Sequence, residues 1–143
     1  NIGPRSDGTI TEEETNVLLG TGKWLAVNGE AIYGTRPWKL YGEGPTESAS
    51  GEFKMQKPYT SKDIRFTTKA DTLYAITLAL PATKESINID ALSSKNNGII
   101  ANVELIGSNE KLSWSQKKDA LIIKAPDAYP SDDAAAFRIT FKK

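Results

Sequence analysis

The chain has 143 residues, with 18 Lys plus Arg against 18 Asp plus Glu, and it contains neither cysteine nor histidine. Balanced charge gives no overall field to attract nucleic acid or an anionic membrane, so we expect neither partner. The missing residue types exclude disulfides, thiolate or histidine metal sites, and triads or pairs that need histidine. We therefore expect no metal and no cofactor. The sequence also has no apolar run of the roughly 20 residues that a membrane-spanning helix needs.

The first ten residues read as a turn-rich segment. Gly3-Pro4 and Asp7-Gly8 are turn dipeptides. Arg5 is the one side chain here that binds anions strongly, although a charged residue in a loop is more often simply solvated.

Residues 11–28 read as one amphipathic helix. Thr11 followed by Glu14 predicts a capping box at its start. Gly20 and Gly22 should each cost up to about 1 kcal/mol relative to alanine, which indicates close contact with another backbone. The clustered carboxylates of the first turn point in different directions and cannot flank one scissile bond. The apolar face predicted to be buried comprises Val17, Leu18, Trp24 and Leu25.

The stretch after the helix joins it to strand-like runs and is too apolar for a solvated tether. We expect Gly29 to end the helix in the left-handed conformation. Glu30 and Arg36 are candidates for a buried or half-buried ion pair that fixes the turn. Trp38 could stack on a sugar, but packing as an interface anchor is the favoured interpretation.

From residue 64 onward the pattern has the period of β-strands. Ile64, Phe66 and Thr68 alternate with polar residues, and a turn at Ala70-Asp71 predicts a hairpin with the next run. That second run is apolar on both sides, which indicates a central strand whose outer face is covered, with the helical region as the candidate cover. Further short runs bring the total to seven or eight strands, which predicts an antiparallel two-sheet β-sandwich.

The predicted sandwich has two other candidate sites, a calcium site and a carbohydrate-binding aromatic strip. Asp127, Asp132 and Asp133 could suggest calcium, but their spacing fits no EF-hand, so a solvated loop is favoured. An aromatic strip for carbohydrate binding remains an alternative, although Trp114 lies on an alternating strand and is expected in the core. The strip would comprise Trp38, Tyr59, Trp114 and Tyr129.

Three sequence segments carry a resemblance to a known family. The runs NIGPRSDGTI, NGEAIYGTRPW and YGEGPT, and more loosely DIRFTTKADTLYAITLAL, resemble family 29 glycoside hydrolases, the α-L-fucosidases. The resemblance implies that residues 1–44 are the tail of the catalytic (β/α)8 barrel, including its last helix. It implies that residues 45–143 are the C-terminal β-sandwich, with a structural role against the barrel. A stand-alone carbohydrate-binding sandwich is the alternative.

The resemblance also implies where function would lie. It places the catalytic carboxylates of a retaining α-L-fucosidase upstream, so this chain is expected to hold no catalytic residue and to be inactive alone. Asn1 and Arg5 would lie nearest the barrel mouth, and the chain looks cut from a secreted, periplasmic or lysosomal-type parent. Expected partners are the upstream barrel, a fucosylated glycan through the parent, and a second copy of this chain through the apolar helix face. The expected domain-interface residues are Trp24, Glu30, Tyr33, Arg36 and Trp38.

Overall fold

A computed structural model describes residues 2–47, 57–82 and 84–143. One helix, α1 (Glu12–Asn28), is followed by the short 3-10 helix Gly29–Ala31 and by eight strands. A second 3-10 helix, Asp90–Leu92, follows the fourth strand. The strands are β1 (Arg36–Glu43), β2 (Ile64–Lys69), β3 (Thr72–Thr77), β4 (Ile87–Ile89), β5 (Ile100–Leu105), β6 (Trp114–Gln116), β7 (Leu121–Ile123) and β8 (Ala136–Phe141).

The eight strands form two antiparallel sheets. The larger has the order β1-β2-β3-β8-β5 and the smaller has the order β4-β7-β6. Strands β2 and β3 form the expected hairpin, with Thr68 opposite Leu73 and Lys69 opposite Thr72. The turn between them uses Ala70, which has a positive φ of 50°. The expected sandwich preceded by one helix is confirmed.

The main core lies between the two sheets. Strand alternation produces it, since every second residue of β2, β7 and β8 faces inward. Apolar side chains from both sheets are fully buried there, and Trp114 packs against them half-buried, as expected for a core position. Those from these three strands are Ile64, Phe66, Leu121, Ile123, Phe137 and Ile139.

A second apolar cluster covers the outer face of the larger sheet. Tyr74 and Ile76 of β3 pack there with Ala31, while Trp24 of α1 lies half-buried against them. Strand β3 is therefore buried on both faces, which explains why its sequence is apolar throughout. The prediction that the helical region covers this strand is confirmed.

Strand β1 forms one edge of the larger sheet and carries a large bulge. Pro37 lies opposite Thr67 and Gly42 opposite Arg65, so four residues of β1 face a single residue of β2. Extra residues in one strand re-aim its side chains and bend the edge. The proposed division of the parent after residue 44 stays a prediction, and β1, which precedes that point, pairs with the sandwich.

Candidate interface of the helix and its connector

The start of α1 is fixed by the predicted cap. The Glu14 amide donates to Thr11 Oγ1 at 3.2 Å. The Glu14 carboxylate accepts a hydrogen bond from the Gly3 amide at 2.8 Å, which ties the preceding segment to the helix. In that segment Arg5 is exposed, and its amide donates to the Thr9 carbonyl in a closed turn. Asn1 lies outside the described residues, so the expectation for it stays a prediction.

The second half of α1 is bound to the sandwich by polar contacts as well as by packing. The Trp24 indole N–H donates to the Ala134 carbonyl at 3.0 Å. The Asn28 side-chain amide donates to Ser131 Oγ at 3.0 Å, and Asn28 is only 2% exposed. Both partners belong to the segment just before β8, more than 100 residues away in sequence.

The first half of α1 presents an uncovered apolar face. Val17, Leu18 and Leu19 are 68%, 43% and 58% exposed. The expected stripe is therefore divided, since Trp24 and Leu25 are half-buried while Val17 and Leu18 face solvent. Exposure of adjacent large apolar residues on a helix is typical of a surface that another molecule or domain covers.

The glycines of α1 lie beside this face. A Cβ placed on Gly20 or Gly22 would have no neighbour within 4 Å, so the close backbone contact predicted for these glycines is not made by the residues that the structure describes. A groove of about 600 Å³ runs along the helix here, with Trp24 and Ala134 in its wall. The space suits an element that lies directly against the helix backbone.

The predicted pair of Glu30 with Arg36 is wrong. Glu30 instead accepts two hydrogen bonds from Arg138 of β8, at 2.8 and 2.7 Å, and Glu104 of β5 accepts a third at 2.9 Å. The hydrogen bonds that Arg138 donates to Glu30 are the largest cause that raises the pKa of Arg138 above its ordinary value. Arg36 is exposed, and its guanidinium donates to the Thr35 carbonyl.

The physical reason lies in the sheet order. Arg36 opens edge strand β1, where it lies opposite Thr68, whereas β8 occupies a position between β3 and β5. The 3-10 helix carrying Glu30 packs over the middle of the sheet, so the nearest guanidinium comes from β8. Glu30 and Arg138 are 108 positions apart, so no local sequence pattern indicates this pair.

Gly29 is needed for close packing and not for a left-handed turn. Its φ of −58° is ordinary helical backbone, which corrects the expectation from the sequence. A Cβ on Gly29 would lie 2.7 Å from the Tyr33 ring, so only glycine lets this ring lie against the backbone. Further along, Thr67 Oγ1 of β2 donates to the Ala31 carbonyl at 2.6 Å. The connector is thus fastened to the sheet at successive points.

Trp38 anchors the connector in the sandwich. It packs edge to face on Phe66, with ring centroids 5.1 Å apart and planes at 66°. Lys39 Nζ lies 5.0 Å from the Trp38 ring centroid, within the range of a cation–π contact. The packing interpretation of Trp38 fits this geometry better than a sugar platform, since one edge of the ring is committed to the core.

A carboxylate near the end of β1 joins the two sheets. Glu43 accepts hydrogen bonds from the amides of Asp90 and Ala91 at 2.9 and 2.7 Å, at the start of the second 3-10 helix. Burial raises the pKa of Glu43 above its ordinary value, although these two bonds oppose that rise. Strand β1 is thereby linked to the smaller sheet as well as to β2.

Asp63, immediately before β2, is caged by two threonines. Its carboxylate accepts bonds from the amides and hydroxyls of Thr46 and Thr60, at 2.7 to 2.9 Å. Burial opposes ionisation of this fully buried residue, but the four bonds outweigh it and lower the pKa of Asp63 from 3.8 to about 2. No sequence pattern indicates this site, because Thr46 and Thr60 lie in loops and Thr46 is 17 positions from Asp63.

The other sequence candidates are not brought together. Trp114 and Tyr129 lie half-buried against the core, and Tyr59 lies instead beside Arg65. Asp127, Asp132 and Asp133 are exposed, and within residues 2–47, 57–82 and 84–143 no group of three His, Cys, Asp or Glu could hold a metal. No helix of the same ranges is long and apolar enough to cross a bilayer.

Comparison with known proteins places this architecture in a family. Residues 56–142 match the family described as Alpha-L-fucosidase C-terminal domain. The chain is 33% identical to human tissue alpha-L-fucosidase over 143 residues, which is 99% of this chain and 27% of that protein. It is 30% identical to the rat plasma alpha-L-fucosidase over 129 residues, 88% of this chain and 24% of that protein.

Solved structures agree with the sequence comparison. The crystal structure of Thermotoga maritima alpha-fucosidase is similar with a TM-score of 0.70 at 29% identity, over 98% of this chain and 29% of that chain. An alpha-L-fucosidase isoenzyme from Paenibacillus thiaminolyticus shares the fold with a TM-score of 0.66 at 23% identity, over 100% of this chain and 30% of that chain. The chain thus spans little more than a quarter of such relatives, and it belongs to the α-L-fucosidase family as its C-terminal domain.

Proposed function

We propose that this chain is the non-catalytic C-terminal region of an α-L-fucosidase and that it packs against an upstream catalytic barrel. The observation that carries the proposal is the division of α1. Its second half is bound to the sandwich through Trp24 and Asn28, while its first half exposes Val17, Leu18 and Leu19. A helix shared in this way belongs to two bodies, and the relatives contain more than twice as much further sequence to supply the second.

The energetics support a covered face. Fully burying one large apolar side chain is worth about 1.5 to 3 kcal/mol. Val17, Leu18 and Leu19 are already partly buried in this chain, so each gains less than that, but together they still favour a contact with the barrel. The open space at Gly20 and Gly22 lets a neighbouring element approach the helix closely. Under this proposal Tyr33, 59% exposed, and Arg36 extend the contact along the connector.

The activity of the whole protein is part of the proposal. The human and rat relatives are named alpha-L-fucosidases, so we infer hydrolysis of terminal α-L-fucosyl linkages in glycans by a retaining mechanism. Such a mechanism needs two carboxyl groups about 5 Å apart across a sugar pocket. We propose that both lie upstream of this chain, with Asn1 and Arg5 nearest to the pocket, and the sequence resemblance supports this. The isolated chain should therefore show no turnover of aryl α-L-fucosides, and turnover by a contaminant-free sample would overturn this.

The test of the docking role compares one substitution in two contexts. Leu18→Gln keeps helix propensity and removes apolar surface. In the isolated chain it should leave the thermal transition unchanged, because Leu18 faces solvent there. In the full-length protein it should lower the transition and loosen the C-terminal region to proteolysis. Lys23→Gln, on an exposed position of the same helix, is the matched control. Equal behaviour of Leu18→Gln and Lys23→Gln in the full-length protein would contradict the role.

A further inference from the structure

A cluster of aromatic and cationic side chains lies at the edge of the larger sheet, apart from the helix face. The Arg65 guanidinium carbon is 5.5 Å from the ring centroid of Tyr41 and 5.3 Å from that of Tyr59. Both distances are within the range of cation–π contacts. Tyr41 is 76% exposed, more than any other large hydrophobic residue of the described ranges.

The backbone is shaped to present this cluster. The bulge between Pro37 and Gly42 places extra residues in β1, and Tyr41 is one of them. Gly42 is required, since an added Cβ would lie 2.9 Å from Arg65 Cδ and would also meet the Ile64 carbonyl oxygen. Arg65 is held in place by a bond of 3.1 Å from Nη1 to that carbonyl. Three separate features therefore fix one exposed ring over one guanidinium.

The cluster contributes little to the stability of the chain itself. Substituting a ring that is three-quarters exposed costs little stability, and among the described residues no salt bridge involves Arg65. Pairing with another strand is disfavoured, because Pro37, Lys39 and the bulge are devices that protect a sheet edge.

The chemistry of the cluster matches a sugar ring. A pyranose has an apolar face of C–H groups and an edge of hydroxyls, so a flat ring can stack on the face while neighbouring donors bind the edge. Tyr41 offers the flat ring and a phenolic tip. The guanidinium of Arg65 carries five N–H donors, and one of those on Nη1 is bonded to the Ile64 carbonyl oxygen. A few placed polar groups beside an aromatic surface are typical of small-ligand sites.

We propose that Tyr41, Arg65 and Tyr59 form a glycan-binding platform that holds one pyranose ring, with Tyr41 as the stacking surface. The choice of a fucosylated glycan as the ligand to test rests on the proposed function, but the geometry of the platform does not. The platform replaces the aromatic strip considered from sequence, of which it keeps Tyr59 alone. It would hold the glycan that carries the substrate while the upstream domain acts on it.

The experiment is a titration of the 143-residue chain with 2′-fucosyllactose, in which ligand-observed NMR and calorimetry measure the binding. Binding should weaken by about tenfold or more in Tyr41→Ala, with an unchanged thermal transition. Tyr41→Leu, which keeps apolar bulk without the flat ring, should weaken it similarly. Tyr33→Ala removes another exposed tyrosine and should leave the affinity unchanged.

Several outcomes separate the alternatives. No binding by the wild-type chain, or equal binding by wild type and both Tyr41 variants, would overturn the platform. Self-association that disappears in Tyr41→Ala would overturn it in favour of a protein contact. Binding of lactose with the same loss in Tyr41→Ala supports a platform for pyranose rings in general. Failure of the docking role is read separately, from Leu18→Gln in the full-length protein.

Discussion

Both halves of α1 carry large apolar side chains, but the surroundings of those side chains are very different. The half that contains Trp24 and Asn28 finds its partners within the chain, in the segment before β8 and on the outer face of the sheet. The half that contains Val17 and Leu18 is capped by Thr11 and bonded to Gly3, but it leaves these two apolar side chains facing solvent. An apolar helix face therefore does not by itself show what covers it. The covered half of α1 stabilises this domain, and the exposed half is the surface that the docking proposal assigns to another domain.

The largest expected effect tests the covered half directly. Trp24→Ala removes a half-buried ring from the cluster with Tyr74 and Ile76, and it also leaves the Ala134 carbonyl without its indole donor. Large-to-small changes at buried aromatic residues lower the free energy of unfolding by about 3 to 5 kcal/mol. Because Trp24 is partly exposed, we expect about 3 kcal/mol for Trp24→Ala. Chemical denaturation of the isolated chain measures it. Leu18→Ala, the counterpart in the exposed half, should change stability by less than about 0.5 kcal/mol.

Asp63 supplies an internal standard, because its stabilisation belongs to the sandwich alone. The four hydrogen bonds favour the charged form and hold its folded pKa at about 2, below the ordinary 3.8. The contribution is therefore complete above about pH 4 and is lost as pH falls from there toward 2. Asp63→Asn should remove this part of the acid dependence and cost about 1.5 to 3 kcal/mol near neutral pH.

The measurement for Asp63 is the thermal transition of wild type and variant across pH 2 to about 6, where only the wild type should lose stability steeply at the acid end. Glu85→Gln serves as the control, since Glu85 accepts a bond from the Ala82 amide in an exposed setting. Parallel pH curves for wild type and Asp63→Asn would show that the cage does not favour the carboxylate.

The ion pairs of the connector are expected to contribute less. Arg138 binds Glu30 through two hydrogen bonds, yet both side chains are more than one third exposed, so solvent screens the pair. A double-mutant cycle of Glu30→Gln and Arg138→Gln should give a coupling of about 0.5 to 1 kcal/mol that falls with added salt. The same cycle with Arg36→Gln in place of Arg138→Gln should give none, and a coupling there would restore the pair expected from sequence.

Local patterns explain which features were predictable. The N-cap at Thr11, the β2–β3 hairpin and the alternation of β8 depend on neighbours in sequence, and they were predicted correctly. The Glu30–Arg138 pair and the Asp63 cage depend on which segments the sheet order brings together, and no periodicity encodes that. Tyr41, the central residue of the proposed platform, was not singled out for a related reason. Its exposure follows from the bulge of β1, which becomes visible only when the register with β2 is known.

The smallest effect concerns the exposed half of α1 when no upstream domain is present. Val17 and Leu18 would then face water, and a second copy offers an identical apolar face, so a two-fold dimer can cover both at once. A contact of this size is expected to be weak, because it involves few residues and association loses translational and rotational freedom. We expect a concentration-dependent shift in sedimentation velocity that Leu18→Glu abolishes by placing like charges opposite each other. Leu25 is half-buried, so Leu25→Glu would mix this effect with loss of stability, and Lys23→Gln is the cleaner control. A chain that sediments as a monomer at every concentration, with or without Leu18→Glu, would contradict self-association through this face.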